Sequence, residues 1–562
     1  MLALLTIILA FAFTVTIAQR ANPDWNLTPR IFVGLISGVT IALALGMITG
    51  SASGDEIFTA GVPGFENASR LCPSKSLLFG YKMYYQPGAG PLLATMYPPG
   101  MYFFYLPIAL LPLPTTWLVI LGSLLSFIWC LCPGLAYLWR RFPFGGADPL
   151  FWLALNILVL LFFQFRSLCY STTSIHADAP ALGCIAWAAL VLYSGATEPL
   201  KRDIILGAFM AACGVWCKQV MIVAPFVFAA LTWKWHGQRK ALLFAAWFAM
   251  FAVTLGAGFS AIFGVRELVL HVIEIPGRMA WWRVADNASV LSAAGGGAHS
   301  FVDRAKTLWV VLDSFMAERW LLLAFIGTAL FGYGHRRNGS LGSRARGQIP
   351  MWAVFFSLAA AFVPMALMAC AKIGGAKNSF SVFDYFAVLG AIQMLGDFAG
   401  CHGAAQDQAP RKSQQGRRRT MMVFCSSLCL ALIIALKAQV IRTQRYVMGI
   451  RTNTLTESET FIRRHPGEAY FASNPIAHLQ VEGILYHYQI ALRDYYLSFG
   501  SGQIEKFRTN VPSDFRLLVV SGYGLTDVDR LLFPEYNVEI AEPGLSRWRV
   551  FARKSRSDVE NR

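Results

Sequence analysis

Met96-Tyr97-Pro98-Pro99-Gly100-Met101-Tyr102-Phe103-Phe104-Tyr105 opens a stretch, 96–113, apolar enough to pass for a membrane span. Its reading decides the fold, because one span more or less moves every later loop to the other side of the membrane. Two prolines at the start suit a first helical turn. The Phe, Tyr and Leu that follow suit a helix lying along the water–lipid boundary. The charge pattern agrees. Basic clusters recur at Arg20 and Arg30; Arg140 and Arg141; Lys201 and Arg202; Lys234, Arg239 and Lys240; Arg336, Arg337, Arg344 and Arg346; and Arg411, Lys412, Arg417, Arg418 and Arg419. With 96–113 read as a juxtamembrane helix, all six clusters fall on the cytoplasmic side, as the distribution of Lys and Arg in membrane proteins requires.

Of the 562 residues, 56% are hydrophobic and 14% charged, against about 25% charged in a soluble protein. The chain reads as a polytopic α-helical membrane protein with about twelve transmembrane helices. The expected spans are 1–19, 31–50, 115–139, 148–166, 179–195, 203–217, 219–233, 241–263, 307–333, 350–370, 382–399 and 420–440. The run 1–19 has no basic start and no small-residue cleavage site, so it reads as a span and not a signal peptide. The net charge of +17 belongs to cytoplasmic loops and does not imply nucleic acid. The cysteines within spans read as small buried hydrophobes, without disulfide or zinc spacing; Cys72, in the outer loop, is left open between paired and free.

This sidedness places 51–114, 167–178, 264–306, 371–381 and everything after about 441 outside. The chain then divides into a transmembrane domain, 1–441, and a soluble outer-face domain, 442–562. In the latter, Glu468–Ser473, Phe515–Ser521, Tyr536–Ala541 and Trp548–Arg553 read as strands. Glu457–Arg464, Leu479–Tyr496 and Thr526–Leu532 read as helices. The alternation predicts a small α/β fold, and the tail Lys554–Arg562 reads as disordered.

Ionisable residues from separate parts of the chain then reach one membrane level. Asp55 and Glu56 open the long outer loop 51–114, with Arg70, Lys82 and Tyr97 further along it. His176 and Asp178 precede the span 179–195, Lys218 and Gln219 form a turn between two apolar runs, and Lys372, Lys377 and Asn378 flank a Gly-Gly loop. Charge at the end of a membrane helix is costly to desolvate and needs a reason. The set predicts one polar cavity at the outer leaflet, with carboxylates for proton transfer and cations for an anionic group. Plainer roles exist for each: Asp178 as the cap of a Pro-started helix, Lys218 as a snorkelling cation, Trp281-Trp282 as interfacial belt. The length of the loop after Asp55-Glu56 favours function.

In these residues the chain resembles the GT-C superfamily of membrane glycosyltransferases, the type that includes protein O-mannosyltransferases and the lipid A aminoarabinose transferase. The acidic pair Asp55-Glu56 opens the first outer loop, and Tyr97-Pro98-Pro99 starts a juxtamembrane helix. His176-Ala177-Asp178-Ala179-Pro180 precedes a span, Gly214 runs through Lys218-Gln219, and a soluble domain closes the chain. The resemblance implies an inverting transfer from a polyprenyl-phosphate-linked sugar to a lipid, glycan or protein acceptor in contact with membrane lipid. It further implies a bacterial inner membrane with the active site facing the periplasm. Asp55 then resembles the catalytic base, with Glu56 beside it and Asp178 as a second acid; a divalent cation, if present, falls to Asp55 and Asp178. Some relatives carry Lys where this chain has Tyr97. Phosphate binding therefore passes to Arg70, Lys82, Lys218, Lys372 and Lys377, with Tyr97, His176, Gln219 and Asn378 lining the donor. The rival expectations are a transporter or flippase, which requires charges near the bilayer midplane, and a non-catalytic envelope assembly subunit.

Overall fold

A computed structural model describes residues 27–50, 64–93, 96–142, 148–194, 199–284, 291–292, 300–340, 350–372, 377–400, 454–521, 524–545 and 548–553, with short helical pieces within 422–433. Asp55, Glu56, the run 1–19 and the loop 401–419 lie outside the described residues.

The helical part comprises α1 (Leu27–Gly50), α2 (Gly64–Ser76), α3 (Pro99–Ala109), α4 (Thr115–Arg141), α5 (Pro149–Gln164), α6 (Arg166–Thr173), α7 (Asp178–Tyr193), α8 (Lys201–Cys217), α9 (Val223–His236) and α10 (Gln238–Phe263). A series of short helical turns follows over 265–278, then α11 (Phe301–Ser340), α12 (Met351–Ala371) and α13 (Ser381–Gly400). Among the described residues, α4, α10, α12 and the segment Asn378–Asp397 are long and apolar enough to cross a membrane. Twelve spans are not established by length and apolarity. Helices α7, α8 and α9 have 16, 17 and 14 residues, about 24, 26 and 21 Å at 1.5 Å per residue, short of a roughly 30 Å hydrocarbon core.

The stretch 96–113 forms no span. Pro98 is extended and Pro99 occupies the first turn of α3, which at 11 residues is about 16 Å long. Gly100 explains its placement. A Cβ there would stand 2.5 Å from the Trp216 carbonyl oxygen, so only glycine lets the start of α3 touch the end of α8. That contact brings Tyr97 towards Lys218.

Helices α5 and α6 meet at Phe165 with a bend of 102°. The crossing helix α6 thus turns its Ser167 and Ser171 towards neighbouring helix ends.

The C-terminal region adds α14 (Thr454–Arg464), α15 (Pro475–Glu482), α16 (Gln489–Phe499) and α17 (Asp527–Leu532). Two short strands, β1 (Arg283–Val284) and β2 (Leu291–Ser292), pair earlier in the chain. The larger sheet contains β3 (Ala469–Phe471), β4 (Leu517–Ser521), β5 (Tyr536–Ile540) and β6 (Trp548–Arg553) in the order β3-β4-β6-β5. Strands β3 and β4 run parallel, with Phe471 opposite Val519; the other pairs are antiparallel. One expected helix, Leu479–Tyr496, is in fact two. Gly483 adopts φ +70° and ends α15, and 484–488 then runs extended, with Tyr488 N–H donating to the Leu92 carbonyl. The sheet shares an apolar core with α2 and α3, built from Phe65, Leu71, Tyr102, Phe471, Val519 and Trp548.

Candidate active site

Asp178 opens α7 with no exposed surface. Its Oδ1 pairs with Lys218 Nζ. Its Oδ2 accepts from the Ser171 hydroxyl at 2.9 Å and lies 2.6 Å from His176 Nδ1, with Asn378 Nδ2 at 3.5 Å. His176 Nδ1 also lies 3.3 Å from the Asp178 backbone nitrogen. The shorter, charge-assisted contact to the carboxylate makes Nδ1 the donor. Nε2 is then the acceptor for the Tyr97 hydroxyl at 2.9 Å. Burial lowers the His176 pKa to about 4 against the opposing pull of Asp178, so the ring is neutral near pH 7 and its contact with Asp178 is a hydrogen bond.

The loop before α7 is clamped on every side. The Tyr105 hydroxyl donates to the His176 carbonyl at 3.1 Å, and Asn67 Oδ1 accepts the Ile175 N–H at 3.0 Å. The rings of Tyr97 and Tyr170 stand edge-on to His176 at 5.0 and 5.3 Å. Such a net holds a charged side chain in one geometry, because each buried polar group satisfies another.

Beside this net lies a cavity of about 160 Å³. Its polar lining includes Tyr97, Lys218, Gln219, Lys372 and Asn378, and its apolar lining includes Phe362, Met365, Ala366 and Ala369 of α12 and Val382 of α13. Lys372 Nζ donates to the carbonyls of Pro276 and Gly277 at 2.9 and 3.2 Å. No carboxylate among the described residues pairs with it, so its charge stays available. Gln219 Nε2 reaches the Met96 and Val272 carbonyls, both at 3.3 Å, while its Oε1 is buried without a partner among the described residues. The Trp281 backbone bridges that of Lys372, and the Trp282 backbone N–H donates to the Ala371 carbonyl at 2.9 Å. The pair pins the end of α12.

The sequence-derived residues divide accordingly. Tyr97, His176, Asp178, Lys218, Gln219, Lys372 and Asn378 come together. Arg70 does not line the cavity: it pairs with Glu66 at 3.1 Å and lies over the Tyr170 ring at 5.5 Å, behind the His176 net. Lys82 is exposed in the loop after α2, where its backbone N–H meets the Tyr85 hydroxyl. The Lys377 side chain, with Asp55 and Glu56, lies outside the described residues. With both oxygens engaged, Asp178 suits a charge that holds its neighbours better than one that takes a substrate proton. No group of three or more metal-ligating side chains occurs among the described residues, and a cation at Asp178 would first have to displace Lys218. Cys72 is buried and free.

One centre escaped the sequence. Arg319 of α11 is 1% exposed and grips Asp384 of α13 through two bonds of 2.6 and 2.7 Å. Asp384 accepts from the Ser167 hydroxyl. The rings of Phe315 and Phe380 cover the guanidinium at 5.0 and 4.7 Å. Ser167 and Ser171 are four residues apart on α6, hence on one face, so the two ionic centres sit a turn apart. The spans therefore carry buried charge. Single charges in apolar runs, Arg319 and Asp384, were the available signal.

No family model and no curated protein matches the chain. Among solved structures, ArnT from Cupriavidus metallidurans in the apo state aligns over 92% of this chain and 97% of its own, with TM-score 0.52 and 13% identity. This chain shares the fold of that ArnT. The same ArnT bound to undecaprenyl phosphate aligns over 92% and 98%, with TM-score 0.50 and 13% identity. The archaeal oligosaccharyltransferase AglB from Archaeoglobus fulgidus aligns at TM-score 0.32 and 11% identity. The fold and the apolar helices make the chain an integral membrane protein.

Proposed function

We propose that the protein is an inverting glycosyltransferase that moves one sugar from a polyprenyl-phosphate donor to an acceptor hydroxyl. The observation that carries this reading is the cavity. Part of its apolar lining comes from α12, a helix long enough to cross a membrane, and its polar lining includes Lys372, Lys218, Gln219 and Tyr97. A lipid tail against that apolar lining brings its phosphate to the cations. The fold shared with a protein crystallised with undecaprenyl phosphate supports the same ligand class.

In the reaction the acceptor oxygen attacks the anomeric carbon as the bond from that carbon to the phosphate oxygen breaks. The acceptor proton passes to a carboxylate, and the polyprenyl phosphate leaves with both bonding electrons. Lys372 and Lys218 stabilise the charge gathering on the leaving phosphate. Asp178 fixes Lys218, and the neutral His176 fixes the Tyr97 hydroxyl. Asp55 is the proposed base, with Glu56 beside it, and the reaction faces the periplasm of a bacterial inner membrane.

A transporter would place charges near mid-bilayer. The Arg319–Asp384 pair instead ties α11 to the first turn of α13, with Glu318 as a further partner of Arg319 at 3.2 Å. The test is transfer by reconstituted protein: Asp55→Asn, equally expressed, abolishes it. Transfer at the parental rate would remove Asp55 as the base.

A further inference from the structure

A second cavity, of about 670 Å³, opens at the far end of α3 from Tyr97 and is lined by Lys75, Thr116, Trp117, Glu459, Arg463 and Gln480. The length of α3, about 16 Å, separates it from the donor cavity. It joins the end of α2, the start of α4 and the C-terminal helices α14 and α15.

Among the described residues, two of its cations lack a counter-ion and one of its amide groups lacks an acceptor. Lys75 Nζ donates to the Ala109 and Leu111 carbonyls at 2.9 and 3.3 Å, and among the described residues no carboxylate pairs with it. Arg463 is exposed and has no ionic partner among them. Gln480 Nε2 is buried with no hydrogen-bond acceptor. Against these two cations stands one carboxylate, Glu459, whose Oε1 takes the Thr115 hydroxyl at 2.6 Å. The lining is net positive.

Its rim is apolar. Trp117 is 57% and Leu113 37% exposed, at the entry of α4, a 27-residue helix able to cross a membrane. A tryptophan at the first turn of such a helix marks the headgroup level. Uncompensated cations beneath an apolar rim at that level match a lipid that is charged at its head and apolar below.

We propose that this cavity binds the anionic headgroup of a bilayer phospholipid, separately from the donor. Lys75 and Arg463 meet the phosphate, the Gln480 amide donates to a headgroup oxygen, and Trp117 and Leu113 rest on the acyl chains.

The test titrates the detergent-solubilised full chain, followed by native mass spectrometry, with short-chain phosphatidylglycerol, phosphatidylcholine and free glycerol phosphate. The parent should prefer phosphatidylglycerol over phosphatidylcholine by about fivefold or more and hold glycerol phosphate weakly. Arg463→Glu should erase the preference, and Thr116→Trp, which fills the cavity, should do the same without adding charge. Equal binding of the two lipids by the parent would overturn the proposal, as would a preference that survives both substitutions. Glycerol phosphate binding as tightly as phosphatidylglycerol would reassign the cavity to a soluble anion.

Discussion

Two buried ionic centres hang from one face of α6, and they differ in what surrounds them. Ser171 supports Asp178, whose partner Lys218 also lines a cavity. Ser167 supports Asp384, whose partner Arg319 is sealed beneath Phe315 and Phe380. The chemistry of the two is nearly the same: a carboxylate, a cation and a serine hydroxyl. What separates them is access. An ion pair facing a cavity presents charge to a ligand, whereas a closed pair spends its field on holding helices together.

That contrast is open to attack, most strongly at the closed centre. Asp384→Ala leaves the buried guanidinium with only the partly exposed Glu318, 3.2 Å away, as counter-ion and should cost about 3 kcal/mol, read as a large fall in melting temperature. Replacing both partners, Arg319→Met with Asp384→Leu, should recover most of the loss, since a buried pair exchanged for apolar side chains is often neutral. Failure of the double variant to recover would give Arg319 a role beyond helix packing.

At the open centre the same kind of change should do less to stability. Asp178→Asn keeps the shape, and Lys218 can take up water from the cavity, so the expected loss is about 1–3 kcal/mol. A loss as large as that of Asp384→Ala would show that the cavity does not relieve the lysine. Lys372→Met should leave the melting temperature within a degree or two of the parent. It should weaken donor binding about tenfold to a hundredfold, the worth of one hydrogen bond to a charged group.

Acid should distinguish the centres more gently. Burial holds the His176 pKa at about 4, below the unfolded value near 6.5. The folded state thus favours the neutral ring. Its contribution is complete above pH 6.5 and declines as pH falls towards 4. Hydrogen exchange at 174–178 should therefore quicken over that range, while 381–386, which contains no histidine, should change less. His271 and His487, also held at about 4 by burial, add to the general loss of stability in acid.

Much of the open centre was legible in the amino-acid order, because its members stand at helix ends, where an isolated charge in an apolar chain is conspicuous. His176, Asp178, Lys218, Gln219 and Asn378 were found that way. Arg70 and Lys82 were grouped with them by sidedness alone, and sidedness does not fix direction: Arg70 turns to Glu66 and Tyr170, and Lys82 to solvent. The 102° bend at Phe165 was invisible because 148–166 reads as a span and 167–178 as an outer loop, not as a crossing helix. With the bend went the roles of Ser167 and Ser171, which depend on α6 crossing other helix ends. Arg319 and Asp384 were visible as letters but not as a pair, since 65 positions separate them. In the C-terminal region the four strands formed within the expected ranges, whereas the break at Gly483 needed a left-handed turn that a helical pattern does not announce.

The account rests on the cavity beside Asp178 binding a lipid-linked phosphate, and direct measurement of undecaprenyl phosphate binding to the purified full chain tests it. The prediction is saturable binding in the parent and in the Arg319→Met/Asp384→Leu variant, and its loss when Lys218 and Lys372 are both replaced by methionine in a protein that still melts cooperatively. Undiminished binding in that lysine double variant would contradict the account.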